Sequence, residues 1–166
     1  MAQALFISRE DIVKFTALNG NVDTDKFVQF VKVAQDTHIQ NYLGTKLFNK
    51  INDGIVNANL NSSYTMLLNV YIKPMVIHWT MVEFLPFAAY TIANKGVFKH
   101  NSENSTNVEK SEVDYLVEKE RSIAEHYTRR FIDYMSFYQS SYPEYNTNAN
   151  ADMYPDKKAD FIGWYL

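Results

Sequence analysis

"SYTMLLNVYIKPMVIHWTMVEFLPFAAYTIAN", residues 63–94, is the stretch on which the fold turns. As a helix it is apolar on nearly every side, and a helix of that kind belongs at the centre of a protein. A membrane span is the other structure such a run can build. Here Lys73, His78, Glu83, Pro74 and Pro86 interrupt it, so it reads as a buried core helix. Each proline lacks an amide hydrogen and crowds the carbonyl four residues back, so both should kink or interrupt the helix.

Upstream, helix signals dominate. "ISREDIVKFTALNG" begins with Ser8 as N-cap and Asp11 three residues on, a weak capping box, with Ile7 and Ile12 as a hydrophobic staple and Gly20 as a stop. In "VDTDKFVQFVKVAQDTHIQNYLG", Asp23 is the cap. Phe27, Phe30, Val31, Ala34, His38, Ile39 and Tyr42 then recur at spacings of three and four, one apolar stripe that Gly44 should end. A short amphipathic helix, Thr45 to Asn52, and a polar linker, "NDGIVNANLNSS", lead into the central helix.

Downstream, "KGVFKHNSENSTNVEK", Lys95 to Lys110, changes character. "VFKH" suits a short strand or an extended arm, and "NSENSTN" is a tip of turn-formers. The last helix runs from Ser111, its expected cap with Asp114, to about Tyr142. Its expected buried stripe is Val113, Leu116, Val117, Ala124, Tyr127, Phe131, Tyr134, Met135 and Tyr138, and Arg121, Glu125 and Arg129 form an ion ladder on the solvent side. From Pro143 to Ala159 the chain is polar and turn-rich and reads as a tether, from which the apolar "DFIGWYL" hangs. The expected fold is therefore all-α: a helical bundle with one long kinked central helix, an extended inter-helix arm and a C-terminal tail. Residues 1–142 form the bundle with its arm at 95–110, and residues 143–166 form the tether and tail.

Composition narrows the function. Aromatics make up 15% of the 166 residues, with 12 Tyr and 11 Phe, and such side chains fill cores and anchor interfaces. The formal net charge of −3 argues against broad electrostatic binding to nucleic acid. The chain has no cysteine, which removes disulfides, thiolate chemistry and Cys-ligated zinc. "MAQALFISRED" does not resemble a signal peptide.

No motif for phosphate cradling, nucleophilic catalysis or metal ligation is present. The four histidines, His38, His78, His100 and His126, share no metal-ligand spacing; His38 and His78 read as hydrogen-bonded core or boundary residues and His126 as solvent-facing. Glu83 is the one isolated acid in the most apolar region; it either pairs with a basic residue or faces a subunit boundary, and a general acid there is the competing reading. "YTRRF", residues 127–131, belongs to a solvated helix face or touches a phosphate or carboxylate. Asn61 and Asn104 sit in glycosylation sequons that read as chance matches. No cofactor and no metal is expected, and the chain does not read as an enzyme. Two segments stand out as interaction arms: Lys95, Val97, Phe98, Lys99 and His100 between the helices, and Phe161, Ile162, Trp164, Tyr165 and Leu166 in the tail. An extended arm can add a strand to a neighbour, and a short aromatic peptide can dock in a groove.

Three stretches together, "LFISREDIVKFTALNGNVDTDKFVQFVKVAQDTHIQNYLG", "IKPMVIHWTMVEFLPFAAYTIANKGVFKHNSENS" and "EVDYLVEKERSIAEHYTRRFIDYM", with the terminal "GWYL", resemble the helical head–tail connector (adaptor or ring) proteins of tailed bacteriophages, closest to those of crAss-like phages. The order of segments carries the likeness, and no single motif is diagnostic. The resemblance implies a virion structural protein: a homo-oligomeric ring, usually twelvefold, that docks under the portal protein, extends the DNA channel without binding DNA specifically, and bridges to other neck and tail rings. It implies assembly in the host cytoplasm, residence in the virion neck, no membrane, and a C-terminal segment, here residues 160–166, that grips the portal. The alternative is a small helical binding or regulatory module with the tail as its ligand motif; a third reading is an enzyme whose site forms only in three dimensions around Glu83 and His78.

Overall fold

A computed structural model of the chain describes residues 2–18, 20, 22–88, 90–93, 96–99, 109–147 and 150–158. It is an all-α bundle with a small β-hairpin inserted before the last long helix. Helix α1 (Arg9–Phe15) is capped as the sequence predicts: the Ser8 hydroxyl accepts from the Asp11 amide and the Asp11 carboxylate accepts from Ser8. Ile7 and Ile12 are both buried. The helix ends at Phe15, well before Gly20, because the Thr16 hydroxyl donates to the Ile12 carbonyl and also accepts from the Leu18 amide, closing the turn early.

Helix α2 (Thr24–Ala34) runs through a π-helical segment, Gln35–Ile39, into α3 (Gln40–Val56). Gly44 does interrupt this helix, at φ 72° and ψ 158°, but the chain resumes a helical path directly afterwards. Two buried amides tie the N-terminal segment down: Gln35 accepts from the Phe6 amide and donates to the Ala4 carbonyl, while Asn52 accepts from the Ala4 amide. Buried polar side chains are tolerated when their bonds are met in this way.

The central helix forms in pieces that its prolines dictate. Helix α4 (Ser62–Met66) leads into a second π segment, Leu67–Ile72, and then α5 (Lys73–Phe84), with Pro74 in the first turn. In an unbroken α-helix the Pro74 ring would meet the Val70 carbonyl; the wider π turn lies where that conflict falls. Pro86 tightens the chain into a 3-10 turn, Leu85–Phe87, so the helix ends there and not at Asn94. Nine of the twelve residues of α5 are buried, in keeping with an all-round apolar surface. Helix α5 packs against α2 on one side and against α6 (Lys110–Tyr138) on the other.

Strands β1 (Tyr90–Ala93) and β2 (Gly96–Lys99) pair antiparallel, with Thr91 opposite Phe98 and Ile92 opposite Val97. This is the arm, with its "VFK" as a strand. Helix α6 starts one residue earlier than expected, capped by Glu109 with Glu112 and not by Ser111 with Asp114. Its buried side chains are Ala124, Thr128, Phe131, Ile132 and Met135; Leu116 and Tyr138, expected inside, are exposed. In the first half of α6 burial is partial: Val117 packs against the core and Glu120 meets His78, and full burial begins at Ala124.

The stretch expected to be a loose tether is packed. After a 3-10 turn, Gln139–Ser141, comes a short helix, α7 (Pro143–Asn146), and Tyr142 and Tyr145 on either side of the expected domain boundary are both fully buried. Residues 150–158 then lie along α3. The Thr45 amide donates to the Met153 carbonyl at 3.0 Å, the Met153 amide to the Thr45 hydroxyl at 2.9 Å, and the Asp156 amide to the Asn41 carbonyl at 2.7 Å. Pro155 is buried in the gap over Gly44, where a Cβ would lie 2.7 Å from its ring. The polar composition that suggested a tether reflects only the solvent-facing side of this strap.

Candidate functional site

Helix α5 carries two histidine–carboxylate clasps, one to each neighbour. His38, in the first π segment, meets Glu83 at 2.7 Å, and its ring stacks on Trp79 with centroids 4.0 Å apart. His78 meets Glu120 of α6 at 2.8 Å and stacks on Tyr127 at 5.3 Å. The Trp79 indole donates to Thr128, whose hydroxyl donates to the Ala124 carbonyl. Glu83 therefore has the basic partner that the sequence leaves open, and that partner is His38. His78, the residue that a three-dimensional active site would have required beside Glu83, points to α6. His126 is exposed, as expected.

A cleft of about 560 Å³ opens between α1, α5 and α6, lined by Lys14, Phe15, Lys73, His78 and Arg130 among others. Three of its charges, Asp11, Lys73 and Arg130, have partners. Lys73 lies 3.5 Å from Asp11. Burial pushes the Asp11 carboxyl up, but its bonds to Ser8 and the charge of Lys73 outweigh that and hold it below the ordinary carboxylate range. Arg130, from "YTRRF", lies over the Tyr71 ring at 5.2 Å. Arg121 pairs with Glu118 at 3.3 Å, and burial holds the Glu125 carboxyl above its ordinary range although Arg121 and Arg129 pull it down. Among the described residues, no group of three or more His, Asp or Glu side chains is placed to hold a metal ion, and no helix is long and apolar enough to cross a membrane.

The surface that stands out is a groove of about 330 Å³ at the root of the hairpin, where Phe30 of α2 meets Phe84 and Phe87, with Tyr90 beside them. Phe30 stacks on Phe87 at 5.4 Å and meets Phe84 edge-on at 5.6 Å. Phe87 is 51% exposed and Tyr90 50%. Sequence reading assigned Phe30 to the core stripe and gave no role to Phe87 or Tyr90; the proline that ends α5 one residue before Phe87 is the one signal that places it at a surface. Of the expected arm residues, Val97, Phe98 and Lys99 lie in β2, and Lys95 and His100 lie outside the described residues, as do Asn104 and all of Phe161, Ile162, Trp164, Tyr165 and Leu166. Asn61 caps α4, accepting from the Tyr64 amide.

The architecture defines a class: an all-α bundle that carries an appended hairpin and an aromatic groove at its root. The particular family follows from comparison with known proteins. A family model, described as a family of unknown function (DUF6712), matches residues 39–154, more than half of the chain, and the chain belongs to that family. Membership assigns no activity. The matched span runs from the end of the first π segment into the strap, taking in α5, the hairpin and α6. No curated protein and no solved structure matches the chain.

Proposed function

We propose that this chain is a structural subunit of a phage head–tail connector: a ring protein that docks beneath the portal, extends the DNA channel and offers a surface to the next neck or tail ring. The observation that carries the reading is the division of the molecule. A bundle closed by clasps and a strap holds out a hairpin with an aromatic root, and an apolar segment follows the strap. A subunit that repeats one heterologous contact around a ring needs a rigid body and an arm of this kind. The resemblance of segment order supports the same reading. On it the chain carries no catalytic site and no cofactor, forms a ring, most simply a dodecamer, only in the virion neck, and lets DNA pass without specific contacts, in keeping with a net charge of −3. Coupled ordering of arms costs free energy, so the purified chain is expected to be monomeric.

Native mass spectrometry of the chain with its cognate portal protein tests this. A closed ring of many copies on the portal is the expected result. A one-to-one complex, or no complex, would overturn the connector reading and leave the small helical binding module in its place.

A further inference from the structure

We infer that the outward back of α6 is a self-association surface, on which a second copy of this chain lays its own α6 antiparallel about a two-fold axis at His126. Exposure defines the face. Tyr115, Lys119, Ser122, His126, Arg130, Asp133 and Phe137 are all exposed, while the side of α6 that enters the core, at Ala124, Thr128, Phe131 and Met135, points the opposite way. At 100° per residue the seven exposed positions stay within about 40° of one line along the helix. The line ends in aromatic rings. Phe137 is 80% exposed and Tyr115 69%, the two most exposed large apolar side chains among the described residues. Twenty-two residues separate them. They span six turns at about 3.7 residues per turn, close to a straight α-helix, so the face does not wind away over its length of about 33 Å.

The order of side chains on this face selects the occupant. The spacings from Tyr115 to Phe137 are four, three, four, four, three and four, the same from either end. Two copies laid antiparallel with His126 opposite His126 therefore meet position for position: Tyr115 with Phe137, Lys119 with Asp133, Ser122 with Arg130, each pair twice. The aromatic ends meet, and a lysine faces an aspartate on both sides of the axis. Neither the Lys119 ammonium nor the Asp133 carboxylate has a partner within the chain among the described residues. A parallel copy in register would set like charges against each other at both positions. The contact is one helix wide and largely polar, so it is weak, with a Kd on the order of 0.1–1 mM, and the chain stays monomeric at low micromolar concentration. It closes on itself about a two-fold axis and is not the repeated contact of a ring. Its test uses the chain alone, so the connector reading is decided separately.

Sedimentation equilibrium of the full chain without portal, from about 10 µM to about 1 mM, should show the mean mass rising from that of one chain toward that of two; a constant mass would overturn the inference. Charge reversal tests the pairing. Lys119→Glu and Asp133→Lys should each weaken the dimer about tenfold, and the two together should restore it, because exchanging both signs again sets opposite charges across the axis. Both positions are exposed, so all three variants should keep the fold. Equal association of all three with the unsubstituted chain would place the contact on another surface. The absence of native cysteine lets the register be tested as well. On oxidation at high concentration, His126→Cys should give an interchain disulfide and Ser122→Cys should not, since the partner's copy of residue 122 lies eight residues, about 12 Å, further along. Cross-linking of both variants alike, or of neither, would overturn a two-fold axis at His126.

Discussion

The strap after α6 and the stretch from Lys95 to α6 look alike in sequence: both are polar and turn-rich, and both interrupt the helical pattern. They differ in what they touch. The strap buries Tyr142, Tyr145 and Pro155, bonds backbone to backbone with α3, and its α7 carries Glu144, which accepts from the Tyr64 hydroxyl. The hairpin bonds to itself, and the residue at its root, Tyr90, is half exposed. Composition sets how much of a segment faces water, and a few well-placed aromatic residues decide whether the rest of it is structural. The strap belongs to the bundle's stability and the hairpin to its outward surface.

Three substitutions break or sharpen that contrast. The largest effect is expected from Tyr145→Ala, which empties a fully buried aromatic site. Large-to-small changes of this kind cost about 3–5 kcal/mol, so the thermal midpoint should fall by on the order of 10 °C; a change near zero would make the strap a loose tether after all. Gly44→Ala comes next. A side chain at φ 72° and ψ 158° is strained by about 1–3 kcal/mol, and its Cβ would press on the Pro155 ring. Urea unfolding should show that loss, and Pro155→Ala in the same chain should recover part of it if the clash contributes. Tyr90→Ser, on the hairpin side, should move the unfolding midpoint by no more than about 0.5 kcal/mol. A large destabilisation there would mean that the hairpin is part of the core.

The parts of the fold governed by neighbours in sequence were legible from the sequence. The Ser8–Asp11 box, the all-round burial of α5 and the disruptions at Pro74 and Pro86 each follow from residues within one or two turns. What was hidden is non-local. Gly44 reads as a stop because its conformational freedom is visible, while the ring that fills the space over it comes from Pro155. Glu83 reads as an acid in need of a base, but two histidines were available, and only the packing of α5 between α2 and α6 assigns His38 to it and Glu120 to His78. Leu116 and Tyr138 carry the right period for burial, yet both lie about half exposed, Tyr138 against the Tyr134 ring alone among the aromatic contacts. The groove was illegible for the same reason: Phe30 and Phe87 are far apart in the chain and meet only once α2 lies on α5.

The π segment at Gln35–Ile39 has a consequence for azimuth. Phe30 and His38 both face α5, one at Phe84 and Phe87, the other at Glu83 and Trp79. Eight residues of uninterrupted α-helix turn through about 800°, which overshoots two full revolutions by about 80°. With regular winding the two side chains would stand about 80° apart, at opposite edges of one helix face. Bonds from each residue to the fifth along widen the turn and rotate the chain less per residue, and the overshoot is absorbed. The segment works as a phase corrector: it brings an aromatic contact and a histidine–carboxylate one onto the same meridian of a single rod, so that one helix holds both against α5.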